Sequence, residues 1–400
     1  PAPRAAPPPR PGAPPSPPVC AAPGGPVPSA QSTAVAWGGT GRVNVDLAAS
    51  ANAWRDVRVR GTRGANIGCS TDRFAIRPTA YSSVTSTMNN SGTSGAPSLK
   101  TGQNFTINVL TGLTGYDNGA GATLASPQII PAVDNTLVLG SPSAGTIGGA
   151  FGAASSGTAT GATFYYSEAG NFGLGANAIY DNVFTAVDQA GDCTADFSNA
   201  LVGGLYGCSI GSPAIALAAG FGRFIPDNFN VSLNVPQFST ACAAGSFTYV
   251  GQLFNFATAP VITVTARNGT TNGLANATTA NYAGAYMKIT NAILTPNTQG
   301  ARYSRFDALG GGTTPALDTG NVPGAPGVAA DPAISAFASG VGTLTFSAGG
   351  ACKGLAFTRG AAPVGTYNGD IALSINVLDT DGVAYASNPA TFGAATAGNG

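Results

Sequence analysis

The chain of 400 residues carries few side chains that could perform catalysis. It contains no histidine, its only glutamate is Glu168, and its only lysines are Lys100, Lys288 and Lys353. Without histidine, neither a Ser–His–Asp triad nor a Cys–His pair can form, and the commonest general base is missing. Glu168 with an aspartate could supply the two carboxylates of a glycoside hydrolase, but no spacing in the chain selects a partner. We therefore predict that the protein is not an enzyme.

A turn near the C-terminus holds the best candidate ligands for a metal ion. Asp379 and Asp381 lie in the segment DTDG, where two carboxylates and nearby carbonyl oxygens could bind calcium. The segment lacks the downstream bidentate glutamate of a calcium-binding loop, and Asp-Gly turns are common without metal. Asp188 and Asp192 form a weaker candidate of the same kind. We expect no cofactor, with calcium at Asp379 and Asp381 as the one alternative.

The cysteines suggest three disulfides and an oxidising compartment. They are Cys20, Cys69, Cys193, Cys208, Cys242 and Cys352. None belongs to a CxxC pair, and without histidine a zinc site is not expected. Six cysteines allow about 15 connectivities. We predict Cys193–Cys208, which closes a short glycine-rich loop, and then Cys20–Cys69 and Cys242–Cys352 by proximity; free thiols are the alternative.

Charge is scarce and balanced. Charged residues make up 8% of the chain, and 17 basic residues face 17 acidic ones. No net charge draws the chain to nucleic acid or to acidic membranes, and no apolar run reaches the ~18 residues of a membrane helix. A surface of Ser, Thr, Asn and Gly lacks charge repulsion and tolerates lateral association. We expect an exported, extracellular surface protein, without a membrane span and without a nucleic-acid partner.

The elements that position these side chains are predicted to be β-strands. Glu and Lys, which favour helix surfaces, are almost absent, whereas Asp, Asn, Thr and Gly favour turns and strands. Apolar and polar residues alternate in Phe105–Val109, Phe229–Leu233 and Ile371–Val377, which is the period of a half-buried strand. The predicted fold class is all-β, with tandem immunoglobulin-like β-sandwich domains and a Pro-rich N-terminal extension.

Composition divides the chain into five segments. Residues 1–30 are a Pro-rich linker that favours polyproline II and cannot build a core. Residues 31–77 are a β segment that completes an upstream or adjacent domain. Residues 78–190 are the first sandwich, residues 191–221 a Gly-rich connector clipped by a disulfide, and residues 222–400 the second sandwich. The start inside a proline tract, without a signal peptide, suggests a fragment of a longer exported precursor.

One segment of the first predicted sandwich shows the pattern of a hairpin. The string ATFYYSEAGNFGLGANAIYDN places apolar residues on both sides of Ala169-Gly170. We predict a strand, a tight turn at this dipeptide and a second strand that pairs with the first, as in the closing hairpin of an immunoglobulin-like sandwich.

A faint internal repeat links the two predicted sandwiches. DRFAIRPTAYSSV, from Asp72, is echoed by GRFIPDNFNVSLN, from Gly222. Phe105–Val109 then corresponds to Val261–Thr265, and GYDNG, from Gly115, corresponds to NYAG, from Asn281. The order of the signals is kept while the spacing grows, which indicates two related β units in tandem.

Long strings of the chain resemble the C-terminal region of the MshQ family. They are VRVR…IGCSTDRFAIRP, TFYYSEAGNFGLGA…YDNVFTAVD…GDC, GRFIPDNFNVSLN, FTYVGQLF and GLAFTRG…YNGDIALSINVLDTDGVAYASNP, which together span about residues 55–393. This family is associated with the mannose-sensitive haemagglutinin type IV pilus of Gram-negative bacteria. The resemblance implies a large exported protein on or near a pilus, often with a lectin-like domain upstream. It implies no activity and no site residues.

These observations lead to three functional hypotheses. The first is a non-enzymatic structural or adhesin-type protein of the bacterial surface, whose partners are pilus subunits or further copies of the chain. The second is a self-polymerising subunit of an extracellular filament, in which Gln31–Leu47 or an exposed edge strand completes a neighbour's sheet. The third is a carbohydrate-binding module that uses aromatic side chains and calcium to hold surface glycans.

Overall fold

The computed structural model of the chain describes residues 50–70, 72–117, 123–124, 129–131, 143–185, 191–239, 247–306, 315–322, 331–350, 353–367 and 369–393. Within these ranges the regular elements are β-strands and short 3-10 turns, and there is no α-helix. The turns span Leu217–Ala219, Thr271–Gly273, Gly284–Tyr286 and Gly300–Arg302. The prediction of an all-β, sandwich-type fold is confirmed.

The strands are short and numerous. Up to Ile225 they are β1 (Trp54–Val57), β2 (Arg60–Arg63), β3 (Asn66–Cys69), β4 (Phe74–Ile76), β5 (Ser83–Ser86), β6 (Leu99–Lys100), β7 (Phe105–Leu110), β8 (Thr123–Leu124), β9 (Ile129–Pro131), β10 (Ile147–Gly148), β11 (Thr158–Tyr166), β12 (Gly170–Leu174), β13 (Ile179–Asp181), β14 (Cys193–Thr194), β15 (Tyr206–Gly207), β16 (Ile210–Gly211) and β17 (Phe221–Ile225). In the second half they are β18 (Asn228–Leu233), β19 (Gln237–Phe238), β20 (Phe256–Thr258), β21 (Val261–Arg267), β22 (Tyr303–Phe306), β23 (Leu317–Asp318), β24 (Ala333–Ile334), β25 (Val341–Thr345), β26 (Ala356–Phe357), β27 (Asp370–Ile375) and β28 (Ala390–Phe392).

Two four-stranded sheets share one arrangement. In the first, β7 pairs antiparallel with β5 and β11, and β11 pairs with β10. In the second, β21 pairs antiparallel with β18 and β25, and β25 pairs with β24. The central strands β7 and β21 alternate buried and half-buried residues, which the sequence predicts for β7. The internal repeat therefore corresponds to a repeated sheet.

The buried apolar side chains form two separate cores. The first core extends from Ala53 to Phe224, and the second consists of Ala169 and of residues from Ile225 to Phe392. The change from one core to the other falls within β17, where Phe224 belongs to the first core and its neighbour Ile225 to the second. The strand β17 thus crosses the predicted boundary at residue 222, and it pairs with β12 and β6 of the first core.

The predicted hairpin around Ala169-Gly170 is wrong. Strand β11 pairs with β7 and β10, whereas β12 pairs with β17 and β9, so the two strands belong to different sheets. The reason is Glu168, which is buried at the corner between them. Its carboxylate is bound by the other core, as described below, and Ala169 packs within the second core rather than the first.

The described part of the N-terminal segment lies against the first core. Ala53 is fully buried there, and Arg55 donates a hydrogen bond to the carbonyl oxygen of Val183. Arg77 donates from Nε to the carbonyl oxygen of Gly207 and from Nη2 to that of Ser198. The predicted linker at 1–30 and the segment Gln31–Leu47 lie outside the described residues.

Candidate functional site

The predicted disulfide between Cys193 and Cys208 is present. Its Cα atoms lie 5.3 Å apart, and it holds the parallel pair of β14 and β15 in place. Cys69 is also disulfide-bonded. Because Cys20, Cys242 and Cys352 lie outside the described residues, the pairs Cys20–Cys69 and Cys242–Cys352 remain predictions.

The aspartates proposed as calcium ligands are occupied by protein donors. Asp379 Oδ1 accepts the backbone N–H groups of Asp381 and Val383, and its Oδ2 accepts the hydroxyl of Tyr282 at 2.7 Å. Both oxygens of Asp381 face the guanidinium of Arg223. In the part of the chain that the structure describes, no three His, Cys, Asp or Glu side chains gather as a metal site would require. Asp192 is an exposed residue beside Cys193, and Asp188 lies outside the described residues.

A buried tyrosine and a buried aspartate face each other in both cores, and we name each such pair a Tyr–Asp clamp. In the first core, Tyr116 donates its hydroxyl to Asp181 Oδ2 at 2.8 Å. In the second core, Tyr282 and Asp379 make the same bond. Each clamp tyrosine and aspartate is only 1% exposed. The two tyrosines are those that the internal repeat aligns, in GYDNG and NYAG.

The second carboxylate oxygen of each clamp holds a turn. Asp181 Oδ1 accepts the backbone N–H groups of Val183 and Phe184, just as Asp379 Oδ1 accepts those of Asp381 and Val383. Burial raises the pKa of Tyr116 and of Tyr282 far above the usual range, so both remain donors at any physiological pH. The sequence analysis did not identify Asp181. Extending the internal repeat from Tyr116 and Tyr282 towards the C-terminus would have aligned Asp181 with Asp379.

Glu168 bridges the two cores. Its Oε1 accepts the backbone N–H groups of Ala169 and Asn281, and its Oε2 accepts that of Ala280 at 3.0 Å. Burial raises the pKa of Glu168, and the three backbone donors act in the opposite direction. The side chain is 4% exposed and both of its oxygens are bound, which suits a structural role and leaves no oxygen directed at a substrate.

Asn281 completes this contact from the second core. Its side-chain amide donates to the carbonyl oxygens of Ser143 and Ala169, and its Oδ1 accepts the backbone N–H of Ser143. Nearby, the hydroxyl of Tyr286 donates to Asn171 Oδ1 at 2.8 Å. Buried amides that satisfy several partners at once fix the relative position of the segments they join.

An ion pair adds a further link at the same junction. Arg223, which lies in β17, places both terminal nitrogens on the carboxylate of Asp381, with Nη2 3.0 Å from Oδ1. The side chains are 5% and 14% exposed, so solvent screens the pair little. Bidentate pairing of guanidinium and carboxylate is directional. The ion pair is also coupled to the second clamp, because the backbone N–H of Asp381 donates to Asp379.

We name Glu168, Asn281, Asn171, Tyr286, Arg223 and Asp381 the junction.

A groove of about 630 Å³ runs beside the disulfide. Its lining includes Arg77, Thr79, Asn199 and Tyr206. The volume falls in the range of small-molecule sites, roughly 300–1,000 Å³. The hypothesis of carbohydrate binding remains a prediction.

Asp331 is a buried acid of the second core whose ionisation opposes folding. Its Oδ1 accepts the backbone N–H of Ser347, whereas Oδ2 has no hydrogen-bond partner among the residues that the structure describes. Burial raises the pKa of Asp331 from 3.8 to about 6, although the Ser347 N–H and the charge of Arg302 act in the opposite direction. The pKa of Asp331 is higher in the folded protein than in the unfolded chain. The stability that protonated Asp331 contributes to the folded protein is therefore fully present below pH 3.8, and it is lost as the pH rises through 6.

We expect Asp331→Asn to remove this dependence on pH. Between about pH 4 and about pH 7, the stability of the variant relative to the unmodified chain should rise by about 2–3 kcal/mol, since each pKa unit is worth about 1.4 kcal/mol. Urea unfolding at a series of pH values measures the difference. Asp318→Asn, at an exposed position, is the control for the loss of a charge. The prediction would be contradicted if the difference in stability between Asp331→Asn and the unmodified chain stayed constant with pH.

Comparison with known proteins concerns the second half of the chain. A family model described as DUF6701, third domain, matches residues 210–399. The matched segment contains every strand from β18 to β28 and the second Tyr–Asp clamp. No curated protein and no solved structure matches the chain. Among the described residues, no helix has the length and apolar character needed to cross a membrane.

Proposed function

We propose that the chain is a non-enzymatic structural protein of adhesin type, displayed on a bacterial surface as two immunoglobulin-like modules. The proposal draws on the resemblance to the MshQ family for its place on or near a pilus. Its partners would be pilus subunits or further copies of the chain.

The observation that supports this role most directly is the junction. Two domains of one chain are expected to move relative to each other unless contacts between them hold them in place. Here Glu168, Asn281 and the pair of Arg223 with Asp381 are buried and bound across the contact. A stalk or spacer that holds a binding domain away from a cell benefits from such stiffness, whereas a catalytic cleft between domains would need an opening that substrate can enter.

Electron microscopy of intact cells tests the proposal. Gold-labelled antibodies raised against the purified chain should label unpermeabilised cells of the source bacterium, along pili or at their ends. Cells that lack the coding sequence are the control for nonspecific labelling. Labelling that requires permeabilised cells would overturn the proposed location, and robust hydrolytic activity of the pure chain would overturn the non-enzymatic role.

A further inference from the structure

A short hairpin in the N-terminal part of the described chain concentrates positive charge. Residues 57–70, VRVRGTRGANIGCS, contain three arginines and no acidic residue, and the nearest acids along the chain are Asp56 and Asp72. The whole chain balances 17 basic against 17 acidic residues, so this segment departs from the overall composition. We name residues 57–70 the arginine hairpin.

The arginine hairpin extends into solvent. Strands β2 and β3 form a two-stranded sheet of their own. From residue 58 to residue 68, every residue whose side chain is described is exposed. A Cβ atom added to Gly61, Gly64 or Gly68 would meet no other atom within 4 Å, so the space around these residues is open.

The base of the arginine hairpin is fixed. The backbone N–H of Ser70 donates to the carbonyl oxygen of Val59 at 2.8 Å, and the N–H of Val59 donates to Ser70 Oγ at 3.0 Å. Cys69, at the end of β3, is disulfide-bonded. A ligand that binds the hairpin therefore meets a backbone that is already ordered, which lowers the entropy cost of binding.

The register of β2 and β3 gives the hairpin two different faces. One face carries the side chains of two directly opposed pairs, Arg60 with Cys69 and Thr62 with Ile67. On the other face Gly61 lies opposite Gly68, so no side chain covers the backbone at its centre. A flat ligand can therefore approach the glycine face closely.

Two arginines of the hairpin are available to an external anion. Neither Arg58 nor Arg60 forms a hydrogen bond or an ion pair with a residue that the structure describes, whereas Arg55 and Arg77 bind backbone carbonyl oxygens. A guanidinium presents five N–H donors in a planar fork that matches the paired oxygens of a carboxylate, a sulfate or a phosphate. The free forks are therefore suited to anionic oxygens.

We propose that the arginine hairpin binds an anionic polysaccharide. Arginines two residues apart on an extended chain are spaced by roughly 6–7 Å in one direction, so they can contact acidic groups that recur along a polymer. The opposite charges are complementary, and the uncovered backbone at Gly61 and Gly68 leaves room for sugar rings. This site uses neither aromatic side chains nor calcium, unlike the carbohydrate site expected from the sequence.

The hairpin lacks the features of the two other common polyanion sites. Proteins that bind single-stranded nucleic acid stack bases on aromatic side chains, and residues 57–70 contain no aromatic residue. Insertion into an anionic membrane requires one apolar face. The exposed aliphatic residues lie on opposite faces, since Ile67 pairs with Thr62 while Val59 precedes Gly61 by two residues.

This inference rests on the proposed adhesin role and names a class of ligand for it. One hairpin binds weakly, because each exposed charge contact contributes little in water. Copies displayed together on a cell surface contact one polymer at several points, which raises the overall affinity.

Biolayer interferometry of the full chain on immobilised polygalacturonate, a polysaccharide with one carboxylate on each sugar, tests the inference. At low ionic strength the unmodified chain should bind, and binding should weaken as salt is added. Arg58→Ser combined with Arg60→Ser should weaken binding by about ten-fold. A chelator of calcium should leave the affinity unchanged.

A second double variant controls for the loss of charge. Arg305→Ser combined with Arg359→Ser removes the same charge from two exposed positions outside the hairpin, and it should weaken binding by less than about two-fold. Thermal melting verifies that both double variants are folded. Equal weakening by the two double variants would show that only net charge matters and would overturn the inference.

Three further probes test the class of ligand. Dextran, which is uncharged, should not bind, and polyadenylate and phosphatidylglycerol vesicles should bind more weakly than polygalacturonate. Absence of binding to polygalacturonate, or stronger binding to polyadenylate or to vesicles, would overturn the inference. Surface labelling of cells does not depend on these results, so the proposed location is tested separately.

Discussion

Glu168→Ala is expected to uncouple the two β cores, so that one cooperative unfolding transition becomes two. The substitution leaves the backbone N–H groups of Ala169, Ala280 and Asn281 without their acceptor. A buried donor without a partner costs about 1–3 kcal/mol, so three of them should cost several kcal/mol. Differential scanning calorimetry should show a first transition lowered by about ten degrees, given about 2–4 °C per kcal/mol for domains of this size.

Hydrogen exchange shows which residues lose protection in Glu168→Ala, and a conservative substitution provides an intermediate case for comparison. Glu168→Gln retains one acceptor oxygen but places an amide N–H₂ opposite a donor, so it should lie between alanine and the unmodified chain. The exposed Asp318→Asn controls for charge. Amides of the junction should exchange faster in Glu168→Ala while those of β7 and β21 keep their protection. A single transition shifted no more than in Asp318→Asn would refute the coupling role of Glu168.

The local part of the fold could be predicted from the sequence because it is encoded locally. Strands β7 and β18 show the alternation of apolar and polar residues that a half-buried strand requires, and both form at the predicted residues. The closure of a short loop by Cys193 and Cys208 also depends only on neighbouring residues. The repeat of signals between the two halves corresponds to two four-stranded sheets with the same order of pairing.

The junction could not be predicted, because its partners are distant in the chain. Two of the three backbone donors to Glu168 come from 112 and 113 residues away along the sequence, and Arg223 pairs with an aspartate 158 residues away. No periodicity indicates such contacts. The same cause explains the hairpin error: local pattern favours a tight turn at Ala169-Gly170, and the buried carboxylate beside it directs the chain into a second sheet instead.

The two Tyr–Asp clamps are expected to contribute similar amounts of stability to their own cores. Asp379→Ala removes the acceptor of one hydroxyl and of two backbone N–H groups, and Asp181→Ala does the same in the first core. Each substitution should cost about 3–5 kcal/mol, which is the range for loss of a buried polar network. Tyr282→Phe and Tyr116→Phe remove only the hydroxyl and should cost about 1–2 kcal/mol.

Double-mutant cycles in urea separate the clamp from its surroundings. Tyr282→Phe combined with Asp379→Ala should cost less than the sum of the single changes, because the second change removes a bond that the first has already broken. Asp181→Ala combined with Asp379→Ala should instead be additive, because the clamps share no partner. A small cost for Asp181→Ala beside a large one for Asp379→Ala would mean that the second clamp derives its effect from the Arg223–Asp381 pair. Equal costs would show that the repeat preserves the energetic role of the clamp as well as its geometry.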